Sequence, residues 1–199
     1  MSLERQTIEY YDREAENWVA THGGPEGESY WKEELDRFNG LLASGKILEI
    51  GSGAGKEAEL FLLQGYDYTG IDASESLLNI ARKRNPQAKL IYKRVEELDF
   101  PDSSFDGFWA AASLLHIPKS QIREVLVNLR RQIKLGGVGF ISLKEGDGEE
   151  IEMETGRHFS YYQPDEFRDF LKGSGWEVIE AKVRPRGNDT TWLIFYIRT

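Results

Sequence analysis

Three glycines at alternate positions separate an apolar run from a helical pattern. They are Gly51, Gly53 and Gly55, within ILEIGSGAGKE at residues 47–57. Because glycine has no Cβ atom, such a turn lets the backbone come close to a ligand, and the N–H groups that begin the next helix point at the same place. An ordinary strand-to-helix turn has the same pattern, so the glycines indicate a ligand site only together with other residues.

An acidic residue stands at the matching position of the next predicted strand. Asp72 ends the run YTGID, 17 residues after Gly55, where a carboxylate can accept hydrogen bonds from both hydroxyls of a ribose. The alternative is that Asp72 caps the helix that begins near Ser74. Because Ser74 can cap that helix itself, we favour the ribose as the partner of Asp72.

Sites for dinucleotides and for S-adenosylmethionine share a glycine turn and such an acid. The dinucleotide pattern G-x-G-x-x-G needs a third glycine, which lets the helix pack closely beside a pyrophosphate. Here Lys56 and Glu57 follow Gly55 instead. A carboxylate at the helix start repels a pyrophosphate but tolerates a ligand without phosphates. The charge pattern therefore favours S-adenosylmethionine.

Short apolar runs alternate with helical patterns from Lys46 onward. This alternation predicts right-handed βαβ units and a parallel sheet covered by helices on both faces, a Rossmann-like α/β fold. Two further β-rich runs, joined by the turn RPRGND, must be antiparallel neighbours because their connection is short. We expect about seven strands, with one reversed strand near the edge. The predicted strands are 46–50, 68–72, 89–93, 105–112, 138–144, 176–183 and 190–197.

Helical patterns also precede the first strand. Residues 5–20 carry one apolar stripe at helical spacing, and a second such pattern begins near Trp31. We expect residues 1–40 to form a helical cap on an α/β core of residues 41–199, the two together making a single domain.

Two later helices have recognisable ends. Pro118 suits the first turn of the longest one, since its missing N–H is not needed there. We expect this helix to include Ile133 on its apolar face and to end at Gly136-Gly137. The last predicted helix lies around residues 165–172.

The composition limits the classes of function. The 25 basic and 34 acidic residues give a net charge of −9, which disfavours binding to nucleic-acid phosphates and anionic membrane surfaces. The absence of cysteine excludes disulfides, thiol catalysis and cysteine-ligated zinc. No apolar run approaches the ~18 residues of a membrane helix, and no signal-peptide pattern is present. We expect a cytoplasmic protein without metal, membrane or nucleic-acid partners, and the sequence leaves its oligomeric state open.

The order and spacing of four segments resemble those of class I S-adenosylmethionine-dependent methyltransferases over residues 5–199. ILEIGSGAG resembles the first motif of that family, and GYDYTGIDASESLLNIAR resembles its second strand and helix. VEELDFPDSSFDGFWAAASLLHIP resembles the third and fourth motifs, and IKLGGVGFISLKEG resembles the run into the fifth strand. The resemblance implies S-adenosylmethionine as the cofactor.

The resemblance also implies roles for particular residues. Glu49 and the turn 51–55 would hold the methionine portion, Asp72 the ribose, and Val95 with Glu96 the adenine. Arg94 departs from the family pattern, since many relatives carry aspartate just before the adenine-side segment. The full set of implied cofactor residues is Tyr11, Trp18, Glu49, Gly51, Ser52, Gly53, Gly55, Asp72, Ala73, Val95, Glu96, Ala110 and Ala111.

One of these sets has an alternative interpretation, and another has a defined place in the site. Tyr11 and Trp18 lie in YYDREAENW, which resembles a helix that closes over the cofactor, although simple packing of that helix explains them equally well. Ala110 and Ala111 would form the floor of the site after the fourth strand.

A general base is expected at the carboxyl edge of the fourth and fifth strands. His116 fits, since an unperturbed histidine has a pKa of ~6.5, although it could instead pack against the sheet or cap a helix. His22 and His158 are expected on surface connections, from which they could also face the acceptor pocket. Glu145 begins an acidic loop that could recognise a cation.

The methyl acceptor is expected to be a small neutral or cationic molecule. The segments 20–34 and 145–160 are expected to shape the pocket that binds it. Two other classes of function stay open: an NAD-dependent oxidoreductase, and a non-catalytic interaction protein that keeps the fold.

Overall fold

A seven-stranded sheet with helices packed on it forms the centre of the molecule. The computed structural model describes residues 3–22, 30–186 and 190–199, so parts of the predicted connections before Trp31 and after Arg184 lie outside the described residues. The helices are α1 (Leu3–Arg13), α2 (Ala15–His22), α3 (Lys32–Leu41), α4 (Lys56–Leu63), α5 (Glu75–Arg84), α6 (Lys119–Gln132) and α7 (Pro164–Gly173). The strands are β1 (Lys46–Ile50), β2 (Asp67–Asp72), β3 (Lys89–Tyr92), β4 (Phe105–Ala111), β5 (Ile133–Lys144), β6 (Glu149–Ile151), β7 (His158–Ser160), β8 (Glu177–Arg186) and β9 (Thr190–Arg198).

The strand order is β3-β2-β1-β4-β5-β9-β8. The pairs from β3 to β5 are parallel, whereas β9 is antiparallel to both β5 and β8. This confirms the predicted mostly parallel Rossmann-like sheet with one reversed strand near its edge. The chain leaves β1 for β2 on one side and returns to β4 on the other, so a crevice opens at the carboxyl ends of these strands.

Successive residues of each central strand point to opposite faces of the sheet. On β4, Phe108 and Ala110 pack in a cluster with α6 and α7, whereas Trp109 packs in a second cluster with α3 and α4. Both faces of the sheet are therefore buried, as the near-continuous apolar runs predict. In the described part of the chain, the longest helix has 14 residues, and none is long and apolar enough to cross a bilayer.

The structure corrects the prediction for the longest helix. It ends at Gln132, and Ile133 already belongs to β5, where it pairs with Phe105. Gly136, with a φ of +78°, lies inside this strand rather than at the end of the helix. Strand pairing with β4 outweighs the helical spacing of Ile133, and the β-branched side chain suits a strand.

Two further differences concern the N-terminal and the acidic segments. The predicted helix over residues 5–20 is divided at Glu14 into α1 and α2. The segment 145–160 contains the β6–β7 hairpin, which the sequence analysis missed. His158 lies in β7 with 1% of its surface exposed, so its predicted place on a surface connection is wrong.

Two glycine substitutions test how β4 and β5 pack beside the crevice. A Cβ atom on Gly139 would lie 2.1 Å from Cε1 of Phe108, so Gly139→Ala is expected to lower the free energy of unfolding by about 1–3 kcal/mol through overpacking. Gly40 in α3 has no described atom within 4 Å of an added Cβ; Gly40→Ala should be neutral or stabilise by up to about 1 kcal/mol. Urea unfolding of both variants checks this pair, and equal effects would contradict the packing described for Gly139.

Candidate functional site

A cavity of about 600 Å³ lies at the carboxyl ends of β1 to β5. Its size falls within the range of sites for small molecules and cofactors, ~300–1,000 Å³. Most residues implied by the family resemblance line it, so segments far apart in the sequence meet at one edge of the sheet. These lining residues are Tyr11, Trp18, Gly51, Ser52, Gly53, Asp72, Ala73, Val95, Glu96, Ala111 and His116.

Three implied residues lie outside the lining of this cavity. Ala110 points to the opposite face of β4 from Ala111 and packs in the core. The carbonyl of Gly55 accepts a hydrogen bond from Asn85 Nδ2 at 2.7 Å, which joins the glycine turn to the end of α5. Glu49 is buried under the turn and accepts a hydrogen bond from the Tyr68 hydroxyl. Burial raises the pKa of Glu49 well above its ordinary value.

The glycine turn has the backbone geometry that its composition predicts. Gly51 and Gly53 have φ values of +73° and +50°, in the left-handed region that favours glycine. A Cβ atom on Gly51 would lie 2.5 Å from Cβ of Ser113, whereas one on Gly53 would meet no described atom within 4 Å. Gly51 is therefore needed for close packing within the protein, and Gly53 leaves open space on the cavity side.

Asp72 joins two backbone turns at the centre of the cavity. Its carboxylate accepts hydrogen bonds from the N–H of Gly53 at 2.7 Å and from the N–H of Ser74 at 2.8 Å. Burial raises the pKa of Asp72 to about 6, although these N–H groups act in the opposite direction. The Ser74 hydroxyl accepts from the N–H of Leu77 at 3.1 Å, so Ser74 is the side-chain cap of α5. Asp72 keeps its charge at neutral pH and is available to a ligand.

Two buried hydroxyl groups at the cavity have no hydrogen-bond partner among the described residues. They belong to Ser52 in the glycine turn and Ser113 after β4, and both residues line the cavity. Buried polar groups in folded proteins are nearly always paired. Their position therefore fits a ligand with polar groups beside the ends of β1 and β4.

The segment that the resemblance predicts beside the adenine is a short 3-10 turn, Val95–Glu97. Val95 is buried, and Glu96 accepts a hydrogen bond from Arg94 Nη2 at 2.9 Å. The residue that departs from the family pattern thus forms an ion pair with its neighbour and holds the Glu96 carboxylate at the cavity wall.

The N-terminal helices lie over the cavity through specific hydrogen bonds. Asp12 on α1 accepts from the Ser74 hydroxyl at 2.7 Å and from the N–H of Ser76 at 3.0 Å. Thr7 accepts from the N–H of His158 at 2.9 Å. The sequence analysis missed Asp12, because its partners are more than 60 residues away along the chain.

Tyr11 and His116 are hydrogen-bonded across the cavity, with 3.0 Å between the Tyr11 hydroxyl and Nε2. His116 Nδ1 lies 2.6 Å from the carbonyl of His158. Because a carbonyl can only accept, Nδ1 carries the proton and Nε2 accepts from the tyrosine hydroxyl. Burial lowers the pKa of His116 from its ordinary value to about 3. The imidazole is therefore neutral at physiological pH.

His22 ends α2 and is exposed, with its ring stacked on Trp18 at a centroid distance of 3.7 Å. Both residues line the cavity. The predicted contribution of this segment to the cavity is therefore seen for His22, whereas residues 23–29 lie outside the described part of the chain.

Comparisons with known proteins agree with this geometry. A family model described as "Methyltransferase domain" matches residues 47–137. The 27-O-demethylrifamycin SV methyltransferase of Amycolatopsis mediterranei (strain S699) is 30% identical over 193 residues, which cover 86% of this chain and 71% of that protein. The chain belongs to the class I S-adenosylmethionine-dependent methyltransferase family.

Some relatives are considerably longer than this chain. The demethylmenaquinone methyltransferase of Tropheryma whipplei (strain Twist) is 31% identical over 112 residues, or 55% of this chain. That alignment covers 46% of the relative, so the chain spans about half the length of this curated protein.

Solved structures share the fold along nearly the whole chain. The Burkholderia thailandensis 1,6-didemethyltoxoflavin-N1-methyltransferase, with bound 1,6-didemethyltoxoflavin and S-adenosylhomocysteine, has a TM-score of 0.72 at 20% identity, covering 97% of this chain and 90% of its own. The [4+2]-cyclase SpnF has a TM-score of 0.76 at 18% identity, covering 98% and 96%. These similarities concern the fold alone.

Three further residues of the cavity were given no individual role in the sequence analysis. Lys144 ends β5, and Arg157 and Phe159 come from the segment around β7. Lys144 could have been predicted as a cavity residue, because it lies at the carboxyl end of a parallel strand. Arg157 and Phe159 lie in segment 145–160, which was expected to shape the acceptor pocket, but the sequence did not single them out because the hairpin that places them was not predicted.

The neutral state of His116 is testable through the pH dependence of stability. Its pKa in the folded protein, about 3, lies below the ordinary value of 6.5. Between these values only the unfolded chain binds the proton, so the stability that is present above pH 6.5 is lost progressively on acidification. Between those values it should reduce the free energy of unfolding by about 1.4 kcal/mol per pH unit. His116→Gln should lower the slope of the unfolding free energy against pH by this amount, measured by urea unfolding from pH 5 to 7.5. The raised pKa of Asp72 adds a slope of opposite sign in both proteins, so the difference between the two proteins reports on His116. Tyr11→Phe, which keeps the imidazole, should retain the slope of wild type, and equal slopes in wild type and His116→Gln would show that burial does not hold His116 neutral.

Proposed function

We propose that this protein transfers the methyl group of S-adenosylmethionine to a small molecule. The single observation that carries the proposal is the position of Asp72, whose carboxylate lies in the cavity and accepts hydrogen bonds from the glycine turn and from the start of α5. Family membership and the small-molecule names of several relatives support it. The net charge of −9 agrees with an acceptor other than nucleic acid.

The residues of the cavity fit S-adenosylmethionine. Asp72 would accept from the ribose hydroxyls, and Val95 and Glu96 would lie beside the adenine. The glycine turn and the unpaired hydroxyls of Ser52 and Ser113 would face the polar methionine portion. We assign Glu49 an indirect role, because it is buried below the turn and outside the cavity lining.

The bound cofactor supplies a methyl group on a sulfonium, which is already a good leaving group. The protein has to align the acceptor with that methyl group and to exclude water, and alignment alone can supply several kcal/mol of the barrier reduction. Tyr11 and Trp18 on α1 and α2 line the cavity and cover it from the N-terminal side. Asp12 attaches α1 to the start of α5, and Tyr11 and Trp18 would then lie over the bound cofactor and the acceptor.

His116 is better suited to positioning than to proton removal. A general base works best when its pKa lies near the working pH, and burial lowers the pKa of His116 to about 3. Its Nε2 atom also accepts from the Tyr11 hydroxyl. We infer that His116 holds Tyr11 in place, and that the acceptor loses any proton by another route.

Replacing Asp72 tests the ribose assignment. Asp72→Ala should weaken S-adenosylmethionine binding by about 1.5–3 kcal/mol, the range for a hydrogen bond to a charged group. Asp67→Ala, at the exposed start of the same strand, should leave the dissociation constant unchanged. Calorimetric titration with S-adenosylmethionine, S-adenosylhomocysteine and NAD makes the measurement. An unaltered affinity in Asp72→Ala would remove the ribose assignment, and binding of NAD alone would favour an oxidoreductase.

Replacing Gly53 tests the position of the bound cofactor. The side chain of Gly53→Val would enter the open space of the cavity, so binding of S-adenosylmethionine should be abolished. Gly65→Val is the matched control, since Gly65 also has a positive φ of +84° and no described atom within 4 Å of an added Cβ. Both variants carry a backbone strain of about 1–2 kcal/mol, but only Gly53→Val should lose binding in the same titration. Retained affinity in Gly53→Val would place the cofactor elsewhere.

A further inference from the structure

Two cationic side chains line the part of the cavity at the end of β5, away from the glycine turn. They are Lys144, the last residue of β5, and Arg157, just before β7. Both lie against the ring of Phe159: Lys144 Nζ is 3.9 Å from the ring centroid, and Arg157 Cζ is 5.0 Å from it. We call these three residues the cationic wall.

Arg157 is fixed in place by its neighbours. Its guanidinium lies over the rings of Tyr10, Tyr11 and Trp18 at 4.9, 5.7 and 5.4 Å. Nη2 donates to Glu152 at 2.7 Å, and Nη1 donates to the Tyr11 hydroxyl at 3.3 Å. Nε donates to Glu152 at 3.1 Å and to the Thr155 hydroxyl at 3.2 Å. The second N–H of Nη1 and that of Nη2 have no acceptor among the described residues, so the immobilised guanidinium still has two donors to offer a ligand.

Lys144 is half-buried and has no hydrogen-bond acceptor or ion-pair partner within the described ranges. The nearby carboxylates are engaged elsewhere: Glu152 pairs with Arg157, and the exposed Glu150 accepts from the Tyr161 hydroxyl at 3.3 Å. Burial and the charge of Arg157 lower the pKa of Lys144 below its ordinary value. An ammonium in this position gains when an anion binds beside it, because the anion supplies both charge and acceptors.

The cationic wall bears on the chemistry of the acceptor. If the proposed function holds, the same cavity receives the sulfonium of the cofactor, a further positive charge. Because Glu152 pairs with Arg157, the cation that a neutral or cationic acceptor would leave without a close counter-charge is Lys144, whereas an anion would balance it. The aromatic side chains of Tyr11, Trp18 and Phe159 also favour a flat molecule.

We propose that the methyl acceptor is a small planar organic acid whose carboxylate binds Lys144 and Arg157. This replaces the expectation of a neutral or cationic acceptor recognised by the acidic loop. That loop folds into the β6–β7 hairpin, and Glu145 is not among the described residues that line the cavity. The hairpin instead places Arg157 and Phe159 there.

The test compares acids with their uncharged amides. Wild-type protein saturated with S-adenosylhomocysteine is titrated at pH 7.5 with benzoate, 4-hydroxybenzoate and indole-3-acetate, and with the corresponding amides. At least one acid should bind about tenfold or more tightly than its amide, as a charge-assisted contact predicts. If no acid binds more tightly than its amide, or none binds at all, the proposal is overturned.

Variants assign the preference to the cationic wall. Lys144→Met should reduce the acid-over-amide ratio by about tenfold, whereas Lys144→Arg should keep it. Lys134→Met is the matched control, because Lys134 lies at the opposite end of β5 and pairs with Asp106; its ratio should equal that of wild type. An unchanged ratio in Lys144→Met would overturn the proposal.

Titration with S-adenosylhomocysteine separates the two hypotheses. Lys144→Met should bind it like wild type, which also shows that the variant is folded. If wild type binds S-adenosylhomocysteine but shows no preference for acids, the acceptor class is wrong and the proposed function stands. If wild type does not bind S-adenosylhomocysteine, the proposed function itself fails.

Discussion

A buried carboxylate joins the two turns on which the cavity is built. Asp72 accepts hydrogen bonds from Gly53, after β1, and from Ser74, before α5, so the ends of two neighbouring strands are held at a fixed separation. Burial raises its pKa from 3.8 to about 6, which means that keeping it ionised at neutral pH costs about 3 kcal/mol. This net cost already includes the stabilisation by the backbone donors, and a ligand with hydroxyl groups would lower it further.

The same region determines where the N-terminal helices lie. Asp12 bonds to Ser74 and Ser76 beside Asp72, and its charge contributes to the raised pKa of Asp72. The position of α1 is therefore coupled to the turn that forms the proposed ribose site. Tyr11 lies on the same helix, and its hydroxyl is hydrogen-bonded to His116. Protonation of Asp72, or a ligand bound to it, should therefore alter the position of α1 and of Tyr11, which covers the cavity.

The sequence predicts the sheet better than it predicts the cavity walls. Apolar runs and glycines are local signals, so β1, its turn and Asp72 follow from the pattern alone, and their interaction confirms that these segments meet. The predicted helix boundary at Ile133 is wrong because the spacing of this residue suits a helix and its β-branched side chain suits a strand. Only its pairing with Phe105 decides between the two. Ala110 and Ala111 differ only in which face of β4 they occupy. Arg157 depends on a hairpin whose short strands carry little pattern.

Fold similarity alone leaves the chemistry of the cavity open. A solved methyltransferase and a solved [4+2]-cyclase resemble this chain to a similar degree, with TM-scores of 0.72 and 0.76. What distinguishes sites on one fold is the set of side chains in the cavity. Here those side chains include Lys144 at the end of β5 and Arg157 before β7, and Arg157 is held by four aromatic rings and a carboxylate. Because Lys144 has no carboxylate partner among the described residues and a buried charge without one is costly, this local charge, as proposed above, selects the second ligand rather than the net charge of the chain.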